Sequence, residues 1–142
     1  MIQARELRIG NLLYDSNENI VVVESINKEG INIFFNPNKG HECIECYYNW
    51  YGLQPIPITE ERLLEFGAVK YNISQFYLDL KHKMDLTHTL QLFWNIGDDY
   101  FICEFSSRST HVCYFNDVKY IHQLQNLIFY LTGKELTYSD VI

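Results

Sequence analysis

Through the first third of the chain, short runs rich in Val, Ile and Leu alternate with polar, turn-forming residues. Leu7–Tyr14 and Ile20–Ile26 flank Asp15-Ser16-Asn17-Glu18-Asn19, whose composition is that of a turn, and together they predict a hairpin. Lys28-Glu29-Gly30 turns the chain into Ile31–Phe35, and Asn36-Pro37-Asn38-Lys39-Gly40 turns it again into Glu42–Tyr48. Strands this short and this close in sequence predict a four-stranded bent sheet or a small SH3-like barrel.

The pattern changes at Pro55 and Pro57, each of which holds the residue before it extended. Thr59 can cap a helix, Glu60 and Glu61 suit the positive end of its dipole, Leu63, Leu64 and Phe66 form an apolar side, and Gly67 closes it. Five strand-like runs follow: Val69–Ile73, Phe76–Leu80, Leu86–Ile96, Tyr100–Phe105 and Thr110–Phe115. In the longest, Leu86, Leu90, Leu92, Trp94 and Ile96 alternate with Thr87, Thr89, Gln91 and Asn95, the pattern of a sheet with one buried side. His88 falls on the apolar face, where a lone histidine reads as a core or edge residue rather than a ligand. Gly97-Asp98-Asp99 makes a tight connection to the next strand.

Val118, Ile121, Leu124, Leu127, Ile128 and Leu131 then recur at helical spacing, after the potential caps Asn116 and Asp117 and before Gly133. Tyr120, Ile121, Leu124, Leu127, Ile128 and Leu131 share one arc of that helix, ready to cover the strands. Lys119, His122, Gln123, Asn126 and Tyr130 share the opposite side, with Phe129 at its edge. The expected architecture is α+β. A small β-barrel-like part over 1–54 is followed by a helix, an antiparallel meander and a covering C-terminal helix over 55–142. The link from Gly52 to Thr59 is too short and apolar for a flexible tether, so the two parts are expected to pack as one unit.

Composition narrows the class without naming a function. The 142 residues are 47% hydrophobic and 20% charged, with 7 Gly and 3 Pro, which excludes a disordered or low-complexity chain. The net charge of −7 comes from acids spread along the chain, and Lys and Arg never cluster, so the electrostatic footprint of a phosphate binder is missing from the linear sequence. No run is long and apolar enough to span a membrane, and the N-terminal residues lack an apolar signal core, so a cytoplasmic protein with four cysteine thiols is expected. The aromatic share of 15% suits strands.

Several residue groups are candidates for chemistry. His41, Cys43 and Cys46 carry a C-x-x-C pair with a nearby histidine and suggest zinc. In a strand, however, residues three apart face opposite ways, and no fourth ligand follows, so no metal or other cofactor is expected and zinc is the weaker alternative. Cys103 and Cys113 become cross-strand neighbours if Ser107, Arg108 and Ser109 form a three-residue loop, and they read as small packed hydrophobes. No nucleophile elbow is present, Thr132-Gly133-Lys134 ends a helix where a phosphate loop must begin one, and no catalytic residue is assigned. Trp50 and Tyr51, in the ring-rich segment Cys46–Tyr51, and His122, Asn126, Phe129 and Tyr130 on the last helix are the candidate partner-binding residues.

Three stretches together resemble a known family: Glu6-Leu-Arg-Ile-Gly-Asn11, the segment from Pro55 to Gly67 (PIPITEERLLEFG), and the segment from Ile121 to Leu136 (IHQLQNLIFYLTGKEL). They are similar to a family of small uncharacterised proteins from Bacteroidetes genomes, often carried on prophages or other mobile elements. The resemblance implies no activity and no site residue. The expectation is therefore a non-enzymatic binding or accessory protein, encoded on a mobile element, that engages a protein partner. The alternative is a nucleic-acid-associated factor using the small barrel, with or without zinc.

Overall fold

A computed structural model describes residues 2–35, 45–49, 52–79, 89–94, 99–106 and 112–136. The fold is α+β, with two five-stranded sheets in which every pairing is antiparallel, and two α-helices among the described residues. The chain divides into two compact units. Unit 1 comprises Met1–Pro57 with Tyr120–Leu127, and unit 2 comprises Ile58–Lys119 with Ile128–Ile142. The division thus falls three residues after the expected boundary, and the start of the last helix belongs with the first unit.

Unit 1 holds strands β1 (Leu12–Tyr14), β2 (Ile20–Ile26), β3 (Gly30–Phe35), β4 (Glu45–Asn49) and β5 (Gln54–Pro55), in the order β4-β3-β2-β1-β5. It is an open sheet among the described residues, edged by β4 and β5, rather than a closed SH3-like barrel. The fifth strand, unanticipated, is the extended segment before the prolines: Leu13 lies opposite Pro55 and Tyr14 opposite Gln54. Alternation puts one face in the core. Leu13 faces Val21 across β1 and β2, Val23 faces Ile33 across β2 and β3, and Ile31 joins them, all five at most 1% exposed. Ile2, Leu7 and Leu53 complete the cluster.

Local chemistry shapes the first hairpin. Asn11 donates its N–H to the carbonyl of Arg8 at 3.1 Å, and Gly10 has φ 91° at the third position of that turn, which only glycine adopts without strain. Gly10 N–H then donates to the Val23 carbonyl while Val23 N–H donates to the Asn11 carbonyl, so two residues oppose one in a bulge. At the other end, buried Asp15 accepts from the backbone N–H groups of Asn17 and Asn19, both at 2.8 Å, and from the Asn19 amide at 3.0 Å. Burial alone raises the Asp15 pKa, but the hydrogen bonds from Asn19 and Asn17 outweigh it and hold the carboxyl below its usual range.

Unit 2 begins with helix α1 (Glu60–Glu65). The Thr59 hydroxyl accepts from Arg62 N–H, and the acids Glu60 and Glu61 occupy the first turn, as the sequence predicts. Its end is a Schellman motif: Ala68 N–H donates to the Leu63 carbonyl, Gly67 N–H to the Leu64 carbonyl, and Gly67 has φ 81°. A methyl group at Gly67 would meet nothing within 4 Å, so Gly67→Ala should cost about 1 kcal/mol from backbone strain alone, read as a lowered urea midpoint at unchanged slope.

Strands β6 (Val69–Asn72), β7 (Gln75–Asp79), β8 (Thr89–Trp94), β9 (Phe101–Ser106) and β10 (Val112–Val118) form the expected meander in chain order. Phe76, Leu92 and Cys103 lie in one cross-strand row and are at most 1% exposed. The expected pairing of the cysteines is corrected: Cys103 lies opposite Phe115 and Cys113 opposite Phe105, because the ladder closes at Ser106 and Val112. His88 and most of Gly97-Asp98-Asp99 lie outside the described residues. Helix α2 (Ile121–Thr132) begins later than the caps Asn116 and Asp117 suggest. Both residues continue β10 through a register shift, Asp117 at φ 61°, and Gln123 instead accepts from the Tyr120 N–H that precedes the helix.

Candidate functional site

The helix face expected to meet a partner is built differently from the wheel. In unit 1, helix α2 lies against the turn formed by Arg8-Ile9-Gly10-Asn11, and a buried amide network joins the two. The Gln125 side-chain carbonyl accepts from Leu12 N–H at 2.9 Å and, at 3.5 Å, from the Asn11 amide, and the Gln125 amide donates to the Gly10 carbonyl at 3.2 Å. The Asn11 amide also donates to the Asn126 side-chain oxygen at 2.9 Å, and the Asn126 amide donates to the Glu6 carbonyl at 2.8 Å. Asn11 and Gln125 are buried. The segment Glu6–Asn11 and the start of the last helix thus meet here. The segment before α1 also reaches the helix in this unit: Ile121 N–H donates to the Ile56 carbonyl, and Pro57 bridges to Tyr120.

His122 is the largest departure. Expected on the solvent face, it is 1% exposed, its ring stacked on Tyr120 with centroids 5.8 Å apart. Burial extends past the apolar arc across Gln125 and His122, because the N-terminal turn packs on that flank as well. Neither ring nitrogen has a hydrogen-bond partner among the described residues. Burial pushes the imidazole pKa down from 6.5 to about 4, against the pull of the Glu6 carboxylate, so the ring is neutral at physiological pH.

The other candidates separate. Asn126 is half-buried and both ends of its amide are engaged inside unit 1. In unit 2, Phe129 is half-buried and packs edge to face against Tyr130, which is 78% exposed. Trp50 and Tyr51 lie outside the described residues, as do His41 and Cys43, while Cys46 lies in β4 opposite Ile33. Among the described residues, no three His, Cys, Asp or Glu side chains group to hold a metal ion.

Cys103 is likewise enclosed. Burial pushes its thiol up to about 12, which keeps it protonated and unreactive. Alkylation by iodoacetamide, followed by peptide mass spectrometry, should be at least about a hundredfold slower at Cys103 in the folded protein than in urea. Equal rates would mean that β9 opens freely.

Among the described residues, three exposed large apolar side chains fall together on the β6–β7 hairpin of unit 2, while Ile9, Ile26, Leu64 and Tyr130 are exposed singly. Val69, Tyr71 and Ile73 are 65%, 69% and 68% exposed. The Tyr71 ring meets Tyr77 edge to face at 5.5 Å, and the Tyr77 hydroxyl accepts from the Gln75 amide. Behind this hairpin Phe76 is buried. The alternation of Val69, Tyr71 and Ile73 with Lys70 and Asn72 marks a strand in the sequence, but it carries no signal that the apolar members stay uncovered. No helix among the described residues is long and apolar enough to cross a membrane. No family model, curated protein or solved structure matches the chain.

Proposed function

We propose that the protein is a non-enzymatic binding or accessory protein, encoded on a mobile element, that engages a protein partner through the β6–β7 hairpin. The observation that carries this reading is the exposure of three large apolar side chains, Val69, Tyr71 and Ile73, within five residues of one hairpin. Scattered exposed hydrophobes are ordinary, whereas adjacent ones anchored by an aromatic pair resemble the centre of a contact surface. Tyr130 is a separate exposed ring on α2 and serves as the comparison.

The test is affinity capture from a Bacteroidetes host lysate with wild type, Tyr71→Lys and Tyr130→Lys, quantified by mass spectrometry. The expected result is a set of proteins depleted at least about tenfold by Tyr71→Lys alone, the loss of one anchor residue. Identical sets from wild type and Tyr71→Lys would remove the hairpin from the reading. Salt-dependent affinity of the purified chain for oligonucleotides would instead redirect it to nucleic acid.

A further inference from the structure

His122, Gln125 and Asn126 lie three and four positions apart on one flank of α2, and in unit 1 that flank meets residues 2–11. Two of the three side chains hold the segment by hydrogen bonds, Gln125 to the Gly10 carbonyl at 3.2 Å and Asn126 to the Glu6 carbonyl at 2.8 Å. His122 is enclosed on the same flank, 1% exposed, with neither ring nitrogen bonded among the described residues. Such a ring tolerates its cover only while it is uncharged. Of Arg5, Glu6, Arg8 and Glu24, the described charged residues on this segment and on β2, the Glu6 carboxylate acts on the ring, and burial outweighs it. Glu6 is itself exposed, where water screens its charge, and Tyr120 stacks on the ring without bonding either nitrogen.

The covering segment can leave without the sheet. Residues 2–9 precede the first strand, and Glu6 and Leu7 N–H bond within the segment, to the Gln3 and Ala4 carbonyls at 2.9 and 3.2 Å. None of Ala4–Glu6 is buried, and Ile2 and Leu7 are the side chains that anchor the segment in the core. Opening therefore exposes two apolar side chains and a few amides, whereas the ladder from β1 to β4 keeps its pairing. We propose that this flank is an acid-operated latch: when His122 takes a proton, residues 2–11 lift from α2 as a local unit and bare Ile2, Leu7 and the helix flank while the sheet of unit 1 stays folded.

Amide hydrogen exchange of the full chain tests it, followed by NMR from pH 7 to pH 4, corrected for the intrinsic pH dependence of exchange and repeated in low urea. Leu12 N–H is the reporter, because its acceptor is the Gln125 side chain. Urea separates the two kinds of opening, since a local one exposes little surface. Leu12 protection is expected to fall about twentyfold from pH 7 to pH 5, for a ring that titrates near 6.5 when open and near 4 when closed. At each pH it should lie at least about tenfold below that of the amides paired between β2 and β3, and urea should barely change it. In His122→Phe the fall between pH 7 and pH 5 should vanish. Leu12 protection that stays level in the wild type, or drops only in the carboxylate range below pH 4.5, overturns the proposal, as does an equal fall in His122→Phe. Protection and urea dependence equal to those of the β2–β3 amides also overturn it, because Leu12 then exchanges only when the whole unit unfolds. The wild-type readings decide the matter even where the variant does not fold.

Discussion

Gln125→Ala is expected to lose about 3 kcal/mol of folding stability, measured as a shift of the urea midpoint. The substitution removes the acceptor of Leu12 N–H and the donor to the Gly10 carbonyl in one step, and Gln125 is only 1% exposed. Backbone groups left without partners in a buried place cost about 1–3 kcal/mol each, partly recovered where water enters. Asn11→Ala should cost a similar amount, since Asn11 accepts from Arg8 N–H at 2.7 Å and donates to Asn126. The two losses should fall short of additivity by about 1 kcal/mol or more in a double-mutant cycle, because each substitution already loosens the same turn. Full additivity would mean that the two amides act independently. Gln125→Glu should be no milder than alanine: it keeps the acceptor but loses the donor and buries a charge.

His122 should make stability fall with acidity over a defined window. The folded state holds the ring neutral down to about pH 4, whereas the unfolded chain takes a proton near 6.5. Below pH 6.5 the unfolded state therefore binds more protons than the folded one. Stability then drops as pH falls, until the folded pKa is passed. The contribution is about 3 kcal/mol between those limits. His122→Phe preserves a flat ring for stacking on Tyr120 and removes the titration, so its stability should stay level from pH 6.5 to 4.5 while the wild type declines. Asp15 also loses stabilisation with acid, since its folded pKa is depressed, but that loss belongs to the carboxylate range and is common to both proteins. Parallel curves for wild type and variant would show that the imidazole is not held neutral by burial.

Much of the fold is legible from local signals. Thr59, Glu60, Glu61 and Gly67 delimit α1 because a cap hydroxyl, a helix dipole and a left-handed residue act within one turn of chain. The meander is legible because alternation assigns sides without knowledge of the neighbours. Register is less so. The expected pairing of Cys103 with Cys113 differs from the observed ladder by two residues, a slip that leaves every side chain on the same face and is therefore invisible to a period-two pattern. Asn116 and Asp117 resemble helix caps in composition, yet continued pairing with β9 carries them into a strand.

The candidate site was the least legible part. A helical wheel of α2 ranks His122 with Asn126 and Tyr130, but only Tyr130 of these is exposed, because a second flank of the helix packs on the turn at Gly10. Conversely, Val69, Tyr71 and Ile73 read only as part of a strand and remain uncovered. The sequence by itself determined most of the described helices and strands, β5 and the start of α2 apart, and the glycines that close the helices, since periodicity, capping and turn chemistry act over a few residues. The tertiary structure alone decided which amides and which imidazole are enclosed, and which rings stay outside, since burial depends on what another part of the chain sets against each face.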